Sequence, residues 1–344
     1  MFRVDGRLTL ALALIFTTTA SAEATPPNGA PVQPPSALTV VCPADSIQAA
    51  VDRAKPGTPL TISVGGVCVE DVVIVTDDVT VQGNNIVDDH VIGGFTIIGA
   101  QRVNIRSLTI RDSGASYPVG VFATRGAAVV LDDVFVSGHG RLGEGGAGVY
   151  VNRNAHADII ASTVQNPLYG DNALLVNDGS VVRASDSTFQ SANGAPNNGA
   201  AVGLFRSASA RLDGTIFIEN SAPEGGLAVQ VLHTSNLRVQ QGGPSFIHLI
   251  NGDVVIGNNS AANIREFDVG GNILLERDSN LSLGGASDVI GTVTIGDRSL
   301  LALSESMGLI NLNRGVTCPG GPAGGVINHA PSINSEEIVG CTIF

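Results

Sequence analysis

Five segments, IRSLTI, LDDVFV, IIASTV, ASDSTF and LDGTIF, align without gaps between residues 105 and 217, and this alignment constrains the fold more than any other feature of the chain. One column holds Ile110, Val136, Val164, Phe189 and Phe217, at spacings of 26, 28, 25 and 28 residues; a second holds Ile105, Leu131, Ile159, Ala184 and Leu212. Around them run short alternating stretches such as LTISV, DVVIV and FTIIG, bounded by Gly, Asn, Asp or Ser, the chemistry of strands that end in tight turns. A unit with three such strands and no helix cannot bury its own apolar face and must stack on copies of itself. Leucine-rich or ankyrin repeats would need helices or signature leucines. The reading is all-β, a single-stranded right-handed parallel β-helix, with an antiparallel sandwich as the alternative.

The ends of the chain divide it further. Arg3 and Arg7 precede an apolar run from Leu8 to Phe16, and Ala20-Ser21-Ala22 follows as an A-x-A cleavage signature, so residues 1–22 read as a signal peptide. The run is too short to cross a bilayer, and no later stretch reaches the ~20 apolar residues of a membrane helix. Residues 23–38 are Pro-rich and read as a leader. In DSIQAAVDRA, Ile47, Ala50, Val51 and Ala54 form one apolar helical face, capped by Asp45 or Ser46 and ended by Pro56-Gly57. Long rungs are expected over 39–250. Shorter ones follow over 251–314, where Ser260, Ser279 and Ser299 align at spacings of 19 and 20. Residues 315–344 are expected to fold over the last rung as a cap, because an open solenoid end exposes strand edges.

The stretch SIQAAVDRAKPGTPLTISVGGVCVEDVVIVTDDVTVQG resembles the N-terminal turn of the pectin-lyase-like β-helix superfamily: a capping helix, a strand, a Gly-rich turn, then strands ending in V-T-V-Q-G. That superfamily holds lyases, hydrolases, epimerases, depolymerases and non-enzymatic adhesins, so the resemblance implies a fold and leaves the activity open.

Composition narrows the partners. The formal charge is -13 over 344 residues, which excludes a generally basic surface for nucleic acid or anionic membrane. Cys42, Cys68, Cys318 and Cys341 permit three connectivities, and proximity favours Cys42 with Cys68 and Cys318 with Cys341. Disulfides and a signal peptide together point to a secreted or periplasmic bacterial protein. A monomer that interacts with polysaccharide is expected.

Catalytic signatures are incomplete. Asp132-Asp133 and Gly138-His139-Gly140 resemble fragments of the polygalacturonase-type hydrolases, which also use Asn-x-Asp and Arg-x-Lys on successive rungs. No Asn-x-Asp lies in the preceding rungs, and Lys55 is the sole lysine, so no Arg-x-Lys exists. The repeat places both aspartates at turn positions. His90, His156, His248 and His329 lack zinc spacing, so no metal is assigned. No cofactor is expected; calcium is the one cation left open, for a lyase whose carboxylates would have to converge. The variable segments between aligned strands are expected to stack along one side of the solenoid. There Tyr117, His139, Arg141, Glu144, Tyr169 and Asp171, with Asn198 and Glu224, would line a ridge or groove. A second file, Arg125, Arg153, Asp178, Arg206 and His233, falls at the turns after the next strand, where arginines could pair with an acidic sugar. The preferred function is binding or structural, at the cell envelope or outside the cell. The alternative is a carbohydrate-active enzyme, a polysaccharide lyase or glycoside hydrolase.

Overall fold

The computed structural model describes residues 36–343 apart from 113–118, 140–145, 167–171, 192–198, 215, 221–225, 241–248, 286, 305–309, 320–324, 330–332, 336–337 and 340. These residues wind as a parallel β-solenoid of about 10 turns. A full turn carries three strands, which form three walls. Ala128–Ser137 runs through the first and second walls and Ala147–Val151 lies in the third. The next turn repeats the pattern with His156–Ile160, Thr163–Asn166 and Asn172–Asn177. The first two walls belong to one 24-stranded sheet, and the third is a sheet of 12.

Both apolar columns face the core. Ile105, Leu131, Ile159, Ala184 and Leu212 pair in register on the first wall, and Ile110, Val136, Val164 and Phe189 do so on the second, the latter four with no exposed surface. At the fifth rung the alignment is off by one residue. Phe189 stacks on Ile218, while Phe217 stands outward beside Thr188. The cause is one extra residue in the turn at Gly214, whose φ of +80° lets the chain take a longer bend before the strand resumes.

Five consecutive rungs turn from the first wall to the second through one left-handed residue. Ser107, Asp133, Ala161, Asp186 and Gly214 occupy this position with φ of 48°, 54°, 47°, 51° and 80°. Asp133 is therefore a corner residue, and its carboxylate accepts from the Ser107 hydroxyl of the preceding rung at 3.1 Å. Inside the bend, buried serines supply what the broken ladder lacks: the Ser162 hydroxyl accepts from Val134 N–H at 3.1 Å and that of Ser187 from Ser162 N–H at 3.2 Å.

At the corner between the third and first walls a second ladder of small buried residues includes Ser180, Ser235, Ser260, Ser279 and Ser299. The hydroxyls of Ser180, Ser235, Ser260 and Ser299 accept backbone N–H groups of the preceding turn, as from Ala155 to Ser180 at 3.2 Å and from Ser235 to Ser260 at 3.1 Å. Further along, Ala261 pairs with Asn280 and Asn280 with Leu300, at intervals of 19 and 20 residues.

The N-terminal end is closed by a five-residue helix, Ile47–Val51, which buries Ile47, Ala50 and Val51. Ser46 caps it, its hydroxyl accepting from Ala49 N–H at 3.1 Å. The Glu70 carboxylate adds a second cap, accepting from Ile47 N–H at 2.7 Å and Gln48 N–H at 3.0 Å. The helix stops before Ala54, because Arg53 and Ala54 bond three residues back in a tighter turn that leads into Pro56. Gln48 reaches the first strand of the third wall, Val72–Ile74. It accepts from Val73 N–H at 2.6 Å and donates to Val73 C=O at 3.2 Å. Cys42 is bonded to Cys68 across the first turn, and Cys318 to Cys341 near the C-terminus.

Candidate functional site

In the chain the variable segments fall between the strands of the second wall and those of the third. Of the residues expected to line a ridge there, Tyr117, Arg141, Glu144, Tyr169 and Asp171, like Asn198 and Glu224, lie outside the described residues. His139 is described, and it is fully buried. Gly138, at φ +76°, turns the chain inward, and the imidazole packs against the start of the neighbouring third-wall strand, Val119–Thr124. A Cβ on Gly120 would fall 2.7 Å from His139 Cδ2 and 2.5 Å from Val136 Cγ1, so this position admits no side chain.

Among the described residues neither nitrogen of His139 has a hydrogen-bond partner. Burial pushes its pKa below the ordinary histidine value, and the Asp112 carboxylate, the Ile110 carbonyl and the Asp71 carboxylate act in the opposite direction. The unfolded chain therefore takes up a proton near pH 6.5 that the folded chain binds only at lower pH. Stability is full above that value and is lost as pH falls toward the folded pKa. The midpoint of thermal unfolding is expected to fall between pH 7.5 and pH 5.5, and to fall less in His139→Gln; equal slopes in the two proteins would show that another group is responsible.

Beyond this corner the outer face of the third wall carries a group of aromatic residues. Phe122 pairs in register with Tyr150, and their rings stack with centroids 5.1 Å apart at 27°. Leu175 continues the same column, then Gly203. The Phe205 ring lies over Gly203, with Cε2 2.9 Å from where a Cβ would stand. Tyr150 keeps its hydroxyl at the rim, accepting from Asn177 Nδ2 at 3.3 Å. All four large side chains are half-buried, so four successive rungs present a contiguous apolar strip at the exit of the variable segments. Sequence reasoning passed over Phe122 and Tyr150. Their spacing of 28 residues, the interval that separates Leu131 from Ile159, was the signal that pairs them.

The predicted arginine file also has a defined place. Arg125, Arg153, Asp178, Arg206 and His233 all have φ between 50° and 58° at the corner leading from the third wall to the first. Each corner is tied to the next through backbone bonds, from Gly126 N–H to Arg153 C=O and from Gly179 N–H to Arg206 C=O, both 3.0 Å. Arg206 pairs with Asp178 at 3.6 Å, whereas Arg125 and Arg153 point into solvent. The one cluster of three possible metal ligands among the described residues is Cys42, Cys68 and Glu70. Its sulfurs are joined in a disulfide and its carboxylate caps the helix, so it has no free ligand set.

No family model matches the chain, and no curated protein sequence does. Among solved structures it is similar to a pectin methylesterase crystallised with a hexasaccharide, at 13% identity and a TM-score of 0.32, over 67% of this chain and 79% of that one.

Proposed function

We propose that this is a secreted β-helix protein that binds polysaccharide at the cell envelope or outside the cell, through the outer face of its third wall. The stacked Phe122–Tyr150 pair carries the reading. A pyranose ring has an apolar C–H face that packs on an aromatic ring, while its equatorial hydroxyls seek polar groups at the edge. The strip formed with Leu175 and Phe205 offers several such places in a row along the solenoid axis, and the Tyr150 hydroxyl and Asn177 amide stand at its border. In a chain with 4% aromatic residues, gathering three of them on one solvent-facing strip is a costly use of apolar surface unless something packs there. Two disulfides suit an oxidising compartment, and no helix among the described residues is long and apolar enough to cross a membrane.

Affinity electrophoresis through gels holding a panel of neutral and acidic polysaccharides tests the reading. At least one polymer is expected to retard the mature protein. Tyr150→Ala is expected to weaken that interaction about tenfold, or about 1.4 kcal/mol, with the melting temperature little changed because the ring is half-exposed. Retardation by none of the polymers, or undiminished retardation of Tyr150→Ala, would rule the site out. Following reducing ends and unsaturated products in the same incubations separates binding from turnover.

A further inference from the structure

The first wall, on a different side of the solenoid, carries a second surface. Arg183, Arg211 and Arg238 lie directly above one another in register on three consecutive strands, all facing solvent. Adjacent strands lie about 4.8 Å apart, so the three guanidinium groups form a file along the solenoid axis. Like charges stacked this way repel, and nothing in strand pairing requires them. The outward positions of the four strands Val181–Ser185, Ser209–Asp213, Asn236–Gln240 and Ala261–Arg265 hold four arginines and one aspartate, Asp213, in a chain whose net charge is -13. Two of the side chains are braced from beside, on their own strands: Arg211 by Asp213 and Arg238 by Gln240. Arg183 has no ion pair among the described residues.

The same column then changes character. After Arg238 come Asn263, Ser282 and Ala302, and the shrinking side chains open a shallow trough of about 300 Å³ edged by Asn236 and Asn280. A cationic file thus runs straight into a groove of amides and small apolar groups, without a step between them.

We infer that the first wall binds a linear acidic polysaccharide lying along the solenoid axis, its carboxylates on Arg183, Arg211 and Arg238 and its next sugars in the trough. This rests on the polysaccharide reading above and adds to it a second surface, a charge class and a direction. Arginine matches a carboxylate with two parallel N–H donors, and an acidic polymer offers a succession of carboxylates along its length. The overall negative charge of the protein repels such a polymer elsewhere, so this face selects where it can settle.

The test uses alginate, with one carboxylate per sugar, and the same alginate with its carboxylates esterified, binding to the full mature protein at low and at physiological salt. Wild type is expected to bind the acid form at least tenfold more tightly than the ester, with affinity falling as salt rises. The Arg183→Gln/Arg211→Gln/Arg238→Gln protein is expected to lose that preference and most of its salt dependence. It is expected to keep its melting temperature, since all three side chains are exposed. Equal binding of acid and ester by wild type, or unchanged alginate binding by the triple variant, would overturn the inference while leaving the third-wall site standing. Weaker binding of both forms by Tyr150→Ala with the acid preference intact would place the two surfaces apart, as the inference requires.

Discussion

Aspartate in place of Ile218 is expected to abolish the cooperative unfolding transition, whereas aspartate in place of its neighbour Phe217 leaves a folded protein. Ile218 has no exposed surface and stacks between Phe189 and Ile250 in the second-wall column. A carboxylate there would be buried without a partner, at a cost of several kcal/mol, comparable to the whole stability of a typical domain. Phe217 faces outward between Thr188 and Leu249, where a charge can reach water. Val136→Asp, also in the core column, is expected to behave as Ile218→Asp does. Circular dichroism melts of the three variants decide the register. A folded Ile218→Asp beside an unfolded Phe217→Asp would move the whole fifth rung by one residue.

The second large effect belongs to the first turn. Replacing Cys42 and Cys68 with alanine removes a link across 26 residues, for which the loop-closure relation gives about 3 to 4 kcal/mol. The loss should be local before it is global. Among the described residues the strand Ser36–Val41 pairs only with Leu60–Gly65, and without the link it has six register pairs to hold it. Hydrogen exchange is expected to rise first in these two strands and in Ile47–Val51, with the third and later turns still protected. Uniform loss of protection along the chain would mean that the solenoid unfolds as one unit and the link is not a local clamp.

Most of the architecture was legible in the sequence because β-solenoids repeat their physics. The first-wall column from Ile105 to Leu212 could be found by eye since each rung offers one well-placed apolar residue between turn formers. The fifth rung misled because Ile216, Phe217 and Ile218 are three apolar residues in a row, so that alternation, the cue for which face is inside, vanishes there. Assigning Asp133 to a bend succeeded because its column holds Ser107, Ala161, Asp186 and Gly214, which share tolerance of a corner and share no chemistry; Asp132, expected at the same turn, instead ends the first-wall run in register with Arg106 and Ile160. His139 was legible as a departure from the repeat. Its burial was not, because that depends on the absence of a side chain at Gly120, nineteen positions earlier in the chain and adjacent only in space. The stacking strip was missed for a related reason: strand patterning marks what points inward, and Phe122 and Tyr150 matter for pointing out.

The contact between Gln48 and Val73 has a consequence for how such a molecule ends. The opening strand of any β-sheet offers a free N–H and a free C=O to whatever chain arrives next, and repetitive sheets are especially prone to recruit copies of themselves. Here one carboxamide fills both valences at the middle residue of that strand. It is a counterfeit peptide unit, with the same donor and acceptor as a further rung, but carried on a side chain that leads nowhere. Growth past that point requires its displacement, and a single glutamine thereby helps to make a polymeric architecture into a molecule of fixed length.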